Sequence, residues 1–131
     1  MPARFRDVIK AGGGDGIMIS TLDKGLFAYT YDEWRKIEDR ILSLENISSR
    51  MRRFRRIFIG AANNCKIDKQ NRFLLPPMLR DYAGIEKEIV IVGILDHFEI
   101  FSKEVWNSEY DLKEDDLKDE EFREEIARLG L

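Results

Sequence analysis

At 131 residues, 44% of them hydrophobic, the chain can bury one ordinary core or two small ones sharing an interface. Its single cysteine excludes an internal disulfide and fits a reducing cytosol, and its longest apolar run, Ile89 to Leu95, falls far short of the ~20 residues of a bilayer span. The net charge of −3 speaks weakly against nucleic acid, but residues 111 to 131 hold nine acidic against four basic residues, leaving 18 basic against 16 acidic in the body. Met1-Pro2-Ala3-Arg4 leads into charge rather than into the apolar segment of a signal peptide.

In chain order, Pro2 suits a first helical position, and Ala3 to Lys10 reads as a short helix stopped by Gly12-Gly13-Gly14. Ile17 to Ser20 and Leu26 to Thr30 read as strands around a turn carrying Asp23 and Gly25. Thr30-Tyr31-Asp32-Glu33 has the form of a capping box, followed at helical spacing by Trp34, Ile37, Ile41 and Leu44. From Ile47 to about Ala62 a second helix is expected, with Met51, Phe54, Phe58 and Ala61 in one stripe and Arg50, Arg52, Arg53, Arg55 and Arg56 around it.

Asn64 to Asp68 then reads as a strand, Lys69-Gln70-Asn71 as a tight turn, and Arg72 to Leu75 as a returning strand. Pro76-Pro77 opens a short helix ended by Gly84, whose missing Cβ suits a left-handed cap. Glu88 to Leu95 and Phe98 to Ser102 form a further hairpin, and Val105 to Tyr110 begins another helix. From Asp115 to Leu129, Phe122, Ile126 and Leu129 keep helical spacing amid dense charge.

The chain says nearly the same thing twice. Pro2 to Val8 recurs as Pro76 to Tyr82, and Leu26 to Tyr29 with Asp32-Glu33-Trp34 recurs as Phe98 to Phe101 with Glu104-Val105-Trp106. A duplicated small unit implies a two-fold-like body with two similar surfaces. The resulting fold class is α+β, with residues 1–46 as a first repeat, 47–62 as a basic bridging helix, 63–110 as a second repeat and 111–131 as an acidic helical tail. Trp34 and Trp106 take matching places as core anchors.

The turn after Asn64 carries the clearest chemistry. Asp68 and Arg72 flank three residues, so the carboxylate can receive backbone N–H groups or orient the guanidinium, leaving Lys69 and Arg72 at an exposed tip. Arginine there can grip a phosphate or a guanine edge, whereas lysine acts as a point charge. Spacing alone favours a plain surface hairpin with an incidental salt bridge. Arg80, on the following helix, can contact phosphate, but a pair with Asp81 or a neighbouring acidic residue is favoured. For Arg50 to Arg56, pairing with Asp32, Glu33, Glu38, Asp39 or the acidic tail is favoured over nucleic-acid contact. Cys65 reads as a small buried hydrophobe, and His97 as a surface turn residue.

Nothing points to catalysis. The sequence holds no Cys/His cluster for a metal and no Gly-x-Ser-x-Gly nucleophile, and Gly12 to Gly16 follows a helix and precedes a strand, the wrong polarity for a phosphate loop. No cofactor, metal or small-molecule substrate is expected.

Asn63 to Trp106, with Cys65-Lys66-Ile67-Asp68-Lys69-Gln70-Asn71-Arg72 and the proline-led helix at its centre, resembles the second half of the MraZ family of bacterial transcription regulators. The likeness extends back through Asp32-Glu33-Trp34 and Gly25-Leu26-Phe27 to Met1. It implies an AbrB-like swapped-hairpin or double-psi fold. It also implies binding of duplex DNA, as a ring-shaped homo-oligomer, at repeated motifs upstream of the division and cell-wall gene cluster, in the cytoplasm at the nucleoid. On the likeness, Lys69, Arg72 and Arg80 meet DNA while Asp68 and Asn71 shape the turn. Two departures stand out: Asn71 replaces the family's usual glycine, and the chain opens at the equivalent of the first proline, without the turn that precedes it in family members. The second departure leaves a rival expectation, an oligomeric interaction scaffold with weakened DNA binding.

Overall fold

The structure, a computed structural model, describes Asp7, Ile9, and residues 16–70, 72–110 and 118–130. The expected opening helix lies mostly outside these residues, although Asp7 and Ile9 both have helical backbone. The glycine run 12–14 and Asn71 lie outside them as well.

Among the described residues five strands form one antiparallel sheet: β1 (Gly16–Leu22), β2 (Gly25–Tyr29), β3 (Asn63–Lys66), β4 (Ile89–Ile94) and β5 (His97–Ser102), in the order β3-β1-β2-β5-β4. Helices α1 (Tyr31–Leu42), α2 (Ser49–Gly60), α3 (Pro77–Ala83), α4 (Lys103–Val105) and α5 (Glu120–Ala127) flank or follow it, with a π-helical turn at Trp106–Tyr110. The mixed α+β class is as expected, and the sheet gives it a definite layout.

The β1–β2 hairpin turns through Asp23 and Lys24, both at positive φ (53° and 67°), the geometry whose twist matches flanking antiparallel strands. Where the chain meets itself at the middle of the sheet, Leu26 pairs with Ile100 and Ala28 with Phe98. The sequence match that equates Leu26 with Phe98 and Ala28 with Ile100 exchanges these two pairs, so the β2–β5 seam has the pairing of a two-fold axis.

Alternation along the strands splits the apolar residues between the two faces. On one face, Ile17, Ile19, Leu26, Ala28, Phe98 and Ile100 join Ile9, Cys65, Ile67, Leu79 and Ala83 in the larger core. On the other, Tyr29 meets Trp34 of α1 and Phe58 of α2, with Met18, Phe27, Ile37 and Phe54 packed around them. Tyr29, Trp34 and Phe58 have ring centroids 5.5–6.5 Å apart, within the range of favourable aromatic pairs. A buried hydroxyl ties this layer to the sheet: Ser20 donates from β1 to the Phe58 carbonyl in the last turn of α2, at 2.5 Å. At Gly25 a methyl group would fall on the Phe101 ring, so this strand position admits no side chain.

The caps follow the local sequence. Thr30 accepts the Glu33 N–H at 3.3 Å, Ser48 the Met51 N–H at 3.1 Å, and Ser102 the Val105 N–H at 3.0 Å, each an N-cap to the third helical residue. Gly84 closes α3 at φ 66°, ψ 30°, with Ile85 N–H returned to the Arg80 carbonyl at 3.0 Å.

Three expectations need correction. Arg72 to Leu75 does not form a returning strand: β3 pairs with β1, and the segment after the turn finds no ladder partner among the described residues. The helix expected over Val105 to Tyr110 is present but starts earlier, at Lys103, and widens from α4 into a π turn at Trp106. His97 is the first residue of β5, opposite Ile94 across a Leu95–Asp96 turn. Its side chain is 13% exposed and stacks on Phe27 and Tyr29 at 5.2 and 5.1 Å, because the strand register puts it on their face.

Candidate nucleic-acid interface

The candidate interface grows from the end of β3. Cys65 and Ile67 point into the core, so alternation sends Lys66 and Asp68 outward. The chain then reverses around the Asp68 carboxylate. Oδ1 accepts the Gln70 N–H at 2.8 Å and the Arg72 N–H at 2.9 Å, while the Asp68 N–H donates to the Arg72 carbonyl at 2.8 Å. One side chain thereby serves donors that a tight turn would otherwise leave to water, as aspartate does in Asx turns.

Oδ2 completes the arrangement by accepting from Arg72 Nε at 3.3 Å. Since the Nε edge is taken by Asp68, the two Nη groups remain as a fork with no partner among the described residues. The side chain is 69% exposed, so the fork faces solvent. The same bonds, led by that from the Arg72 backbone N–H, hold the Asp68 carboxyl below the usual carboxylate range. The turn therefore keeps its negative hub over the whole physiological pH range.

Lys69 and Gln70 are exposed at the tip. Lys66, Asp68, Arg72, Phe73 and Leu74 line an open recess of about 420 Å³ beside it. Lys66 was not among the expected site residues; the signal was its alternation with Cys65 and Ile67, which places it on the side of Asp68. Phe73 and Leu75 pack against the larger core, fixing the base of the loop, while Leu74 between them is 82% exposed.

Arg80 stands exposed on α3, a helix held by Leu79 (0% exposed) and Ala83 (1%). Among the described residues it forms no ion pair with Asp81 or any other acid. Tyr82 on the same helix accepts the Lys24 N–H at 3.3 Å through its hydroxyl, tying α3 to the β1–β2 turn.

The arginines of α2 behave differently from expectation. Among the described residues none of Arg50, Arg52, Arg53, Arg55 and Arg56 pairs with an acidic side chain. The acids of α1 bond within their own helix instead: Asp32 with Arg35 at 2.9 Å, Glu33 with Lys36 at 3.0 Å, and Glu38 with Trp34 Nε1 at 3.0 Å. Arg52 folds back on the Ile47 carbonyl and the Ser49 hydroxyl.

Elsewhere the titratable groups read as structural. Cys65 is 3% exposed, and burial pushes its thiol pKa up, which makes it inert as expected. Asp96 is held below its ordinary range chiefly by its hydrogen bond with His97. Tyr29 is pushed up to about 12, first by burial and then by the Asp96 and Glu99 charges. Among the described residues no cluster of metal ligands occurs, and no helix is long and apolar enough to cross a membrane.

The fold and this site define a class before they define a family: a small α+β protein whose recognisable chemistry is an Asp-organised basic turn in front of a proline-led helix. The MraZ family, described as "MraZ protein, putative antitoxin-like", matches residues 58–128. A transcriptional regulator MraZ of Desulforapulum autotrophicum is 59% identical over 131 residues, spanning all of this chain and 88% of that protein. One from Desulfosudis oleivorans is 53% identical over 132 residues with the same coverage, and one from Clostridium beijerinckii is 43% identical over 111 residues, 85% of this chain and 75% of that protein. The chain belongs to the MraZ family.

Proposed function

We propose that the chain is a transcription regulator that binds duplex DNA through the Lys69–Arg72 tip. The observation that carries this reading is the Arg72 guanidinium: anchored at Nε by Asp68, exposed, and without a partner at either Nη group among the described residues. A fork held in this way suits a guanine edge or a phosphate in a fixed orientation. Lys69, with Lys66 beside the recess, supplies point charge to the backbone, and Arg80 extends the positive surface along α3. Asp68 shapes the turn, and Asn71, at the position before the arginine, is of the residue type that best tolerates a positive φ after glycine. The names of the relatives, regulators throughout, agree with the reading.

One tip neutralises few phosphates, so a single subunit binds weakly and several subunits in a ring, each presenting its tip to one of a series of repeated promoter motifs, raise avidity by orders of magnitude. The expected targets are the repeats upstream of the division and cell-wall gene cluster, with the protein at the nucleoid. Binding of those repeats and of a scrambled duplex across a salt series tests this. A regulator discriminates between the two and shows a steep salt slope. An interaction scaffold shows neither.

A further inference from the structure

The Asp68 carboxylate fixes more than Arg72. Its Oδ1 accepts the Gln70 N–H at 2.8 Å and the Arg72 N–H at 2.9 Å, so a single oxygen keeps the two backbone nitrogens within two hydrogen-bond lengths of each other. Successive bases along one strand of a duplex are about 3.4 Å apart. Two side chains rooted this close on one turn therefore reach the same base pair or neighbouring ones. Gln70 is exposed, and its side-chain amide makes no hydrogen bond among the described residues, because the turn is organised through its backbone N–H alone.

Gln70 differs in kind from the cations on either side of it. Lys69 and Arg72 carry charge, and every duplex offers phosphates to a charge whatever its sequence. A neutral amide adds nothing to that attraction. What it offers is a donor NH2 and an acceptor oxygen side by side. In the major groove only adenine shows the matching pair, an N7 acceptor next to an N6 donor; guanine shows two acceptors, cytosine a donor, and thymine an acceptor with a methyl group. With its backbone held by Asp68 before any duplex arrives, this side chain has less freedom to lose on forming the pair.

We propose that Gln70 is a specificity-determining residue that reads an adenine through N6 and N7, beside the contact made by Arg72. The turn then reads a short step of the duplex, with Asp68 setting the spacing between its two readers. This rests on DNA binding by the Lys69–Arg72 tip and adds to it the base recognised and the residue that selects it.

The test measures affinity of the full chain for a duplex carrying the promoter repeats, with each adenine in turn replaced by 7-deazaadenine, which lacks only the N7 acceptor. At one adenine of the repeat the wild type should lose affinity, by roughly 5- to 150-fold for a complete bidentate contact and by part of that for N7 alone. Gln70→Ala should be indifferent to the replacement at that position and keep its response at every other. Gln70→Glu should turn the preference there from adenine towards cytosine, whose N4 amino group donates to a carboxylate. The Gln70→Ala turn keeps its backbone N–H, so unchanged amide resonances at positions 70 and 72 show that the loop is intact. The inference is overturned if the wild type responds to no adenine replacement, or if Gln70→Ala responds at every position as the wild type does. Arg72→Ala distinguishes the two levels: if it abolishes preference for the repeats while Gln70→Ala behaves as wild type, only the adenine contact falls, whereas if neither variant alters binding to any duplex, the tip itself is not the DNA contact and both readings fall.

Discussion

Replacing Arg72 by alanine and by lysine separates base reading from mere charge. Its Nε is held by Asp68 at 3.3 Å, so the free Nη pair is oriented before any ligand arrives. A good bidentate base contact contributes about 1–3 kcal/mol of discrimination, so each engaged tip should lose roughly 5- to 150-fold in preference for the repeat over a scrambled duplex. Arg72→Ala also removes one positive charge per tip, lowering the slope of log K against log salt by about 0.9 for each phosphate left unneutralised. Arg72→Lys keeps the charge but can neither bond Asp68 through Nε nor present a planar fork. Its salt slope should stay near wild type while its preference falls almost as far as that of the alanine variant. Fluorescence anisotropy with both duplexes, between about 50 and 200 mM salt, reads both quantities. An exposed side chain contributes little to the core, so Tm should hold in both variants. A preserved preference in Arg72→Lys would make Arg72 only a point charge, and an Arg72→Ala variant unchanged in both quantities would place the DNA contact elsewhere; either result contradicts base reading by this side chain.

Further expectations concern the scaffold. Ser20→Ala should cost about 1–3 kcal/mol in denaturant unfolding, because the Phe58 carbonyl loses its buried donor; Ser20→Thr, which keeps the hydroxyl, should cost less. Tyr29, raised to about 12, favours folding as the neutral phenol, so its contribution is complete below pH ~10 and lost between there and about 12, roughly 2–3 kcal/mol in all. Compared with Tyr29→Phe, absorbance titration should show the Tyr29 phenol still largely protonated at pH ~11, and Tyr29→Phe should flatten the alkaline slope of stability; an unchanged slope would contradict the assignment. Asp68 has the opposite sign: its depressed pKa keeps the turn intact above and through the ordinary carboxylate pKa of ~3.9, and the turn is lost only as pH falls through the lower folded value. The Gln70 and Arg72 amide resonances should therefore shift only below that pH, whereas a midpoint at the ordinary value would count against the hydrogen-bonded hub.

Local chemistry was the most legible part of this chain. The Thr30 cap, the Gly84 stop and the reach of Asp68 across to Arg72 are each decided within a few residues, and the structure shows each as expected. Non-local pairing was not legible. Arg72 to Leu75 looks like a strand by composition, yet a strand needs a ladder partner, and this segment takes none among the described residues although β3 is the edge strand of the sheet. Asp96-His97 looks like a polar turn until the two-residue connection sets His97 opposite Ile94 and on the face of Phe27 and Tyr29. The arginines of α2 were expected to find the acids of α1, but i,i+3 partners on the same helix are nearer than any on the next. For Lys66, alternation marks the side chain as outward without saying what it shares that side with.

The most direct test of the DNA-binding tip is photo-cross-linking from single sites on the intact protein. A photoreactive side chain replacing Gln70, exposed beside Lys69 and Arg72, should couple to a duplex carrying the promoter repeats, and the same group replacing Arg53 on α2 should not. Coupling from position 53 with none from position 70 would show that the duplex meets the protein elsewhere, contradicting the assignment of the turn as the DNA contact.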